Sequence, residues 1–114
     1  MSPACIFCRI AAKDVAAEVV YEDRDVIAFR DLSPQAPTHV LVIPKRHVAS
    51  LDETVDADAA LLGALMLAAK SVARGAGLTG GYRVVTNSGP DAGQSVAHMH
   101  LNVLGGRPMA WPPG

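Results

Sequence analysis

One stretch with helical period, from about Asp56 to about Ala76, stands in a chain whose other apolar runs are short and rich in β-branched residues. Leu61, Leu65, Ala68 and Val72 form one stripe at helical spacing, and Leu62, Met66, Ala69 and Ala73 form an adjacent one. So wide an apolar face fits a helix buried on two sides, against its own sheet and against a second copy of the chain. A homodimer is therefore expected, the alternative being a helix sunk deep in one core. Ser50-Leu51-Asp52-Glu53 fits the S-x-x-E capping box and marks a helix start. Gly75, Gly77, Gly80 and Gly81 break the helix at its far end.

The remaining elements follow from strand patterns and their punctuation. Glu18–Glu22 and Val26–Arg30 read as strands joined by the polar turn Asp23-Arg24-Asp25, which predicts a hairpin. Ser33-Pro34-Gln35-Ala36-Pro37 is a loop, because its prolines fix φ and remove ladder donors. His39–Ile43 is an apolar run stopped by Pro44 and is expected to be a central strand. Tyr82–Thr86 is the next strand, Asn87–Gly93 a loop of turn formers, and Cys5–Lys13 a short helical turn. The order β-β-β-α-β-β with short links predicts an α+β fold built on an antiparallel sheet.

At 114 residues the chain reads as one domain, 1–114, with a single core. A net charge of −1 gives no electrostatic case for nucleic acid or a membrane as partner. Met1-Ser2-Pro3-Ala4-Cys5 has no charged segment leading into a long apolar run, so no signal peptide is expected and a cytoplasmic, reducing setting is the default. In that setting two cysteines argue for a metal site or for thiols rather than a structural disulfide.

Candidate chemistry lies near the end of the chain. In His98-Met99-His100-Leu101-Asn102-Val103 polar and apolar residues alternate. In a strand, His98, His100 and Asn102 share one face while Met99, Leu101 and Val103 pack on the other. Imidazole can act as nucleophile, proton carrier or metal ligand. Cys5-x-x-Cys8 offers two thiolates at a spacing suited to Zn²⁺, with redox use or idle thiols as alternatives. A closed site needs two more ligands, and His39, His47, His98 and His100 are the candidates. A site using His47 and His98 would tie the N-terminus to two distant strands.

Together these segments resemble the histidine triad (HIT) family, and within it the Hint branch of nucleotide-binding phosphoramidases. The likeness is carried by Asp31-Leu32-Ser33-Pro34-Gln35-Ala36-Pro37-Thr38-His39, Val42-Ile43-Pro44-Lys45-Arg46-His47, Gly93-Gln94-Ser95-Val96, His98-x-His100, Gly105-Gly106-Arg107 and Trp111-Pro112-Pro113-Gly114. The resemblance implies a five-stranded antiparallel sheet with one long helix and a short N-terminal helix, paired into a dimer. It implies His100 as a nucleophile that attacks the α-phosphorus of a purine nucleoside 5′-phosphoramidate or related AMP-like substrate, forming a nucleotidyl-histidine that water hydrolyses. It further implies that Asp31 holds the ribose hydroxyls and that Asn87 lies near sugar and phosphate. Ser95, with the backbone at Gly93 and Gln94, would meet the phosphate and leaving group. Phe7, Ile10, Phe29 and Leu32 would surround the purine, and His39 would orient a triad imidazole. Family members with an N-terminal CxxC hold structural zinc, which here would fall to Cys5, Cys8, His47 and His98.

The chain departs from the family at two places. Asn102 stands where a third histidine is expected; an amide donates hydrogen bonds but carries no proton near neutral pH. Ala110 stands where close relatives carry histidine, before a tail that reaches the partner's site in the family. Three readings follow: a phosphoramidase or nucleotidyl hydrolase slowed by Asn102, a zinc-stapled binding module with little turnover, or a nucleotidyltransferase.

Overall fold

Asp23 closes the first hairpin by accepting the Asp25 and Val26 N–H groups on Oδ1, both at 2.9 Å. Such an Asx turn reverses the chain within three residues. The hairpin joins β1 (Val19–Glu22) to β2 (Val26–Arg30), and β3 (Thr38–Pro44) pairs on the other side of β2. A long helix, α2 (Ala59–Gly75), then crosses the sheet and leads to β4 (Tyr82–Val85) and β5 (Leu101–Gly105). In this computed structural model, which describes residues 4–114, the sheet order is β1-β2-β3-β5-β4, every neighbour antiparallel. The expected five-stranded α+β architecture is the observed one, with β3 at its centre. Residues 1–3, where no signal peptide is expected, lie outside the described residues. Among the described residues no helix is long and apolar enough to cross a membrane.

The two faces of the sheet have different covers. Val26, Ala28, Val40, Val42, Leu101 and Val103 pack under Leu65, Ala68, Ala69, Val72 and Ala73 of α2. The alternate residues Ile27, Phe29, Leu41 and Ile43 pack with Phe7 and Ile10 of the short helix α1 (Ile6–Ala11). This explains why β2 and β3 are apolar without alternation: both of their faces are covered. Because α1 is only six residues long, it covers part of its face and leaves a cleft beside it.

Two boundaries differ from the sequence reading. Ser50 makes no side-chain capping bond; Leu51–Glu53 is an isolated 3₁₀ turn. Thr54 returns to extended backbone (φ −76°, ψ 157°) with its hydroxyl on the Leu51 carbonyl, which stops the turn from propagating. After a second 3₁₀ turn at Asp56–Asp58, α2 begins at Ala59, and Asp58 Oδ2 accepts the Val55 N–H at 2.9 Å.

The expected histidine strand also starts late: β5 opens at Leu101, and His98–His100 form its lead-in. The register places Met99 opposite Pro44, which has no N–H for the ladder. The main chain of the lead-in bonds elsewhere. Met99 N–H donates to the Val48 carbonyl at 2.6 Å, and the His98 and His100 carbonyls accept from side chains. The alternation of faces nevertheless persists, since Met99, Leu101 and Val103 join the α2 core.

Candidate functional site

Three segments distant in sequence meet at the edge of α1. The CxxC spacing wraps one turn of helix, so Cys5, at the N-cap, accepts the Cys8 N–H on Sγ at 3.4 Å. His47 follows β3, and His98 opens the lead-in to β5. Cys8 Sγ lies 3.2 Å from His47 Nδ1 and 3.5 Å from His98 Nδ1. Cys5 Sγ lies 3.3 Å from His98 Nδ1, and the two Nδ1 atoms are 3.2 Å apart. All four ligand atoms fall within 4.8 Å of one another. Neither cysteine is in a disulfide.

The residues fit a tetrahedral metal ion. With the usual bond lengths, two nitrogens on Zn²⁺ stand about 3.3 Å apart, and nitrogen and sulfur about 3.5 Å. The cluster already has those edges. The fully buried His98 donates from Nε2 to the Pro44 carbonyl at 2.8 Å, which turns the lone pair of Nδ1 toward the cluster. Burial holds the His98 imidazole below its ordinary pKa; His47 and His100 add to that, and the Pro44 carbonyl opposes it. Neutral imidazole is the form a metal takes. Of the four histidines weighed for the ligand set, the structure brings His47 and His98 to the cysteines. His100 lines the neighbouring cleft, and His39 meets Asn102 of that cleft without lining it.

That cleft, about 360 Å³, opens between α1, the end of β2 and the loop before β5. Phe7, Ile10 and Phe29 form an apolar wall, with the Phe7 and Phe29 rings edge to face at 5.5 Å. Leu32 stands at the mouth, 100% exposed, an apolar residue that folding alone leaves in water. Arg30, Asp31, Asn87, Ser95, His100 and Asn102 supply the polar wall. Asp31 Oδ1 accepts the Ser33 N–H at 2.7 Å, and Oδ2 lies 3.6 Å from His39 Nε2.

His100 is the buried imidazole of this wall. Its Nδ1–H donates to the His98 carbonyl at 2.9 Å, so the neutral ring carries its lone pair on Nε2. The Phe7 ring packs edge-on against it at 5.2 Å, and the Thr86 hydroxyl donates to the His100 carbonyl at 2.9 Å. Backbone and aromatic contacts together fix both tautomer and ring plane.

Three residues sit differently from the sequence expectation. Gly93 and Gln94 do not line the cleft: their N–H groups donate to the Pro90 and Gly89 carbonyls within the loop. The Gln94 side chain braces that loop, accepting the Gly89 N–H and donating to the Ala49 and Val96 carbonyls. His39 orients an amide rather than an imidazole, since its Nε2 meets Asn102 Oδ1 at 2.9 Å. Sequence reasoning missed Val15, Ala17 and Val96 in the cleft wall, whose only signal is apolarity in loops. It also missed the His98 and Pro44 carbonyls, because main-chain acceptors leave no trace in residue type.

A family model described as the HIT domain matches residues 12–109. An uncharacterized HIT-like protein of Synechococcus elongatus is 52% identical over 114 residues, covering 100% of both chains. The crystal structure of a HIT family hydrolase from Legionella pneumophila superposes with a TM-score of 0.94 at 50% identity, over 96% of this chain and 99% of that one. A histidine triad protein from Clostridium difficile gives a TM-score of 0.93 at 38% identity, over 96% of each chain.

Proposed function

The chain belongs to the HIT family, and from that premise we propose that it is a nucleotide-binding hydrolase of the Hint branch. It would cleave purine nucleoside 5′-phosphoramidates or related nucleotidyl substrates. The observation that carries this reading is the tautomer of His100. With Nδ1–H held by a main-chain carbonyl, Nε2 meets the cleft as a nucleophile that needs no prior loss of a proton.

In this reading the purine lies against Phe7, Ile10 and Phe29, and Leu32 folds over it. Asp31 accepts from the ribose hydroxyls, and Asn87 and Ser95 donate toward the phosphate. Asn102 offers an amide N–H to a phosphoryl oxygen as negative charge grows there. Gly93 and Gln94 act by shaping the loop that presents Ser95, in keeping with N–H groups already bonded inside it. Cys5, Cys8, His47 and His98 would hold a structural zinc ion, whose four protein ligands leave no open position for chemistry.

Intact-protein mass spectrometry after mixing with adenosine 5′-phosphoramidate tests the reading, with release of the monophosphate followed in parallel. An adenylate-sized adduct or steady release is expected. A protein that binds AMP but shows neither with this substrate nor with an adenosine 5′-phosphate mixed anhydride is the binding module instead, the reading that Asn102 favours because an amide carries no proton. We further propose a homodimer that covers the outer part of the α2 stripe, where Met66 is 54% exposed, together with Leu67 beside it at 61%. Sedimentation at twice the chain mass is the expected result, and a monomer at micromolar concentration refutes it.

A further inference from the structure

The orientation of Asn102 is fixed from both ends by main-chain groups that cannot change role. The Gln35 N–H can only donate, and it lies 3.0 Å from His39 Nδ1. That nitrogen is therefore the acceptor, and Nε2 carries the ring proton. The Nε2–H donates to Asn102 Oδ1 at 2.9 Å. At the other end the Val85 carbonyl can only accept, and Asn102 Nδ2 donates to it at 3.1 Å. Both constraints select the same amide orientation. Asn102 therefore faces the cleft as a hydrogen-bond donor with no proton to give away. The one proton of His39 is held by the amide oxygen.

The other polar side chains of the cleft do not supply the missing acid. The only N–H of His100 is on the His98 carbonyl, and Asp31 accepts from the Ser33 N–H. Arg30, the cation of the lining, pairs with Glu18, and a guanidinium keeps its protons in a protein. Ser95 and Asn87 carry no readily transferred proton. Charge on phosphoryl oxygens can thus be stabilised here, while a basic leaving atom receives no proton from the wall.

We infer that the site selects substrates by leaving group: it takes nucleoside 5′-phosphates joined to an acid in preference to those joined to an amine. The inference rests on the His100 reading above. In the first step the Nε2 lone pair forms a bond to the α-phosphorus. The bond to the leaving atom breaks, and its electron pair departs with that atom. When that atom is an oxygen of a carboxylic or phosphoric acid, the pair rests on a stable anion and no proton is needed. When it is an amine nitrogen, the nitrogen must gain a proton from solvent before or during departure. In the second step water bonds to phosphorus and the N–P pair returns to Nε2, restoring neutral imidazole. One water proton passes to solvent.

The test is a series of adenosine 5′-phosphate derivatives: an acyl mixed anhydride, aryl esters of graded acidity and the phosphoramidate. Each is corrected for spontaneous hydrolysis and run with wild type and Asn102→His. The ratio of kcat/KM for anhydride over phosphoramidate is expected to be about 10²- to 10⁴-fold larger in wild type than in Asn102→His, the usual range for a general acid. Equal ratios in the two proteins overturn the inference and leave the nucleotidyl hydrolase reading standing. No turnover of any substrate, with no adenylate on the protein, overturns that reading itself. Should Asn102→His not fold, the wild-type aryl series decides: a steep loss of rate with falling leaving-group acidity is expected, and a flat series overturns the inference.

Discussion

Replacing His100 with alanine is expected to lower turnover by on the order of 10⁴-fold or more, the scale seen when a covalent nucleophile is removed. The adenylate adduct should vanish from the mass spectrum with it. AMP affinity should change little, because the apolar wall and Asp31 belong to other elements. Only 7% of His100 is exposed and Phe7 packs against it, so truncation also opens a small cavity; a melting curve separates that cost from the chemistry. Partial rescue of His100→Ala by added imidazole would place the nucleophile at this position. Unchanged turnover in a folded variant would remove His100 from the chemistry altogether.

Stripping the zinc ion proposed for Cys5, Cys8, His47 and His98 is expected to have the largest effect on stability. The four ligands join α1, the segment after β3 and the lead-in to β5. A ligand that binds only the folded state at about a thousand times its Kd contributes about 4 kcal/mol. For a chain of this size that corresponds to a fall in Tm of more than about 10 °C. The paired substitution Cys5→Ser with Cys8→Ser should reproduce the effect of a chelator and abolish the one ion per chain expected by metal analysis. Nucleotide affinity should weaken as well, because α1 also carries Phe7 and Ile10 of the cleft. Full thermal stability in protein shown to be metal-free would end the case for a staple.

The two expected effects share a structural origin. His98 faces the cysteines with its ring and holds His100 with its carbonyl. A rise in His98 mobility after metal loss would therefore loosen the His100 tautomer as well as α1. Turnover should fall further than nucleotide affinity in the stripped protein, and comparing kcat with KM across chelation measures this.

Local pattern made much of the architecture legible. The β-branched runs, the polar Asp23-Arg24-Asp25 turn and the helical stripe centred on Leu65, Ala68 and Val72 predicted element type and order, because periodicity records which face is buried. The ends of elements were less legible. Ser50 has the residue type of a helix cap, yet Thr54 ends the turn that Ser50 begins. The histidine strand was misplaced at its start because Pro44 lies opposite it, 55 positions earlier in the chain. Pairing partners across such separations are invisible to a local window.

The donor chemistry was already written in residue types: two thiols one helical turn apart, histidines on alternate positions, and an amide where the family resemblance places a third histidine. Residue type alone decides what a side chain can ligate, attack or protonate. Which groups those side chains face was settled by folding. It brought His47 and His98, rather than His39 and His100, to the cysteines. It set the His100 tautomer with the His98 carbonyl and the Asn102 amide with Gln35, His39 and Val85. Those directions come from main-chain donors and acceptors, which every residue carries alike and which acquire a role only once the chain has folded.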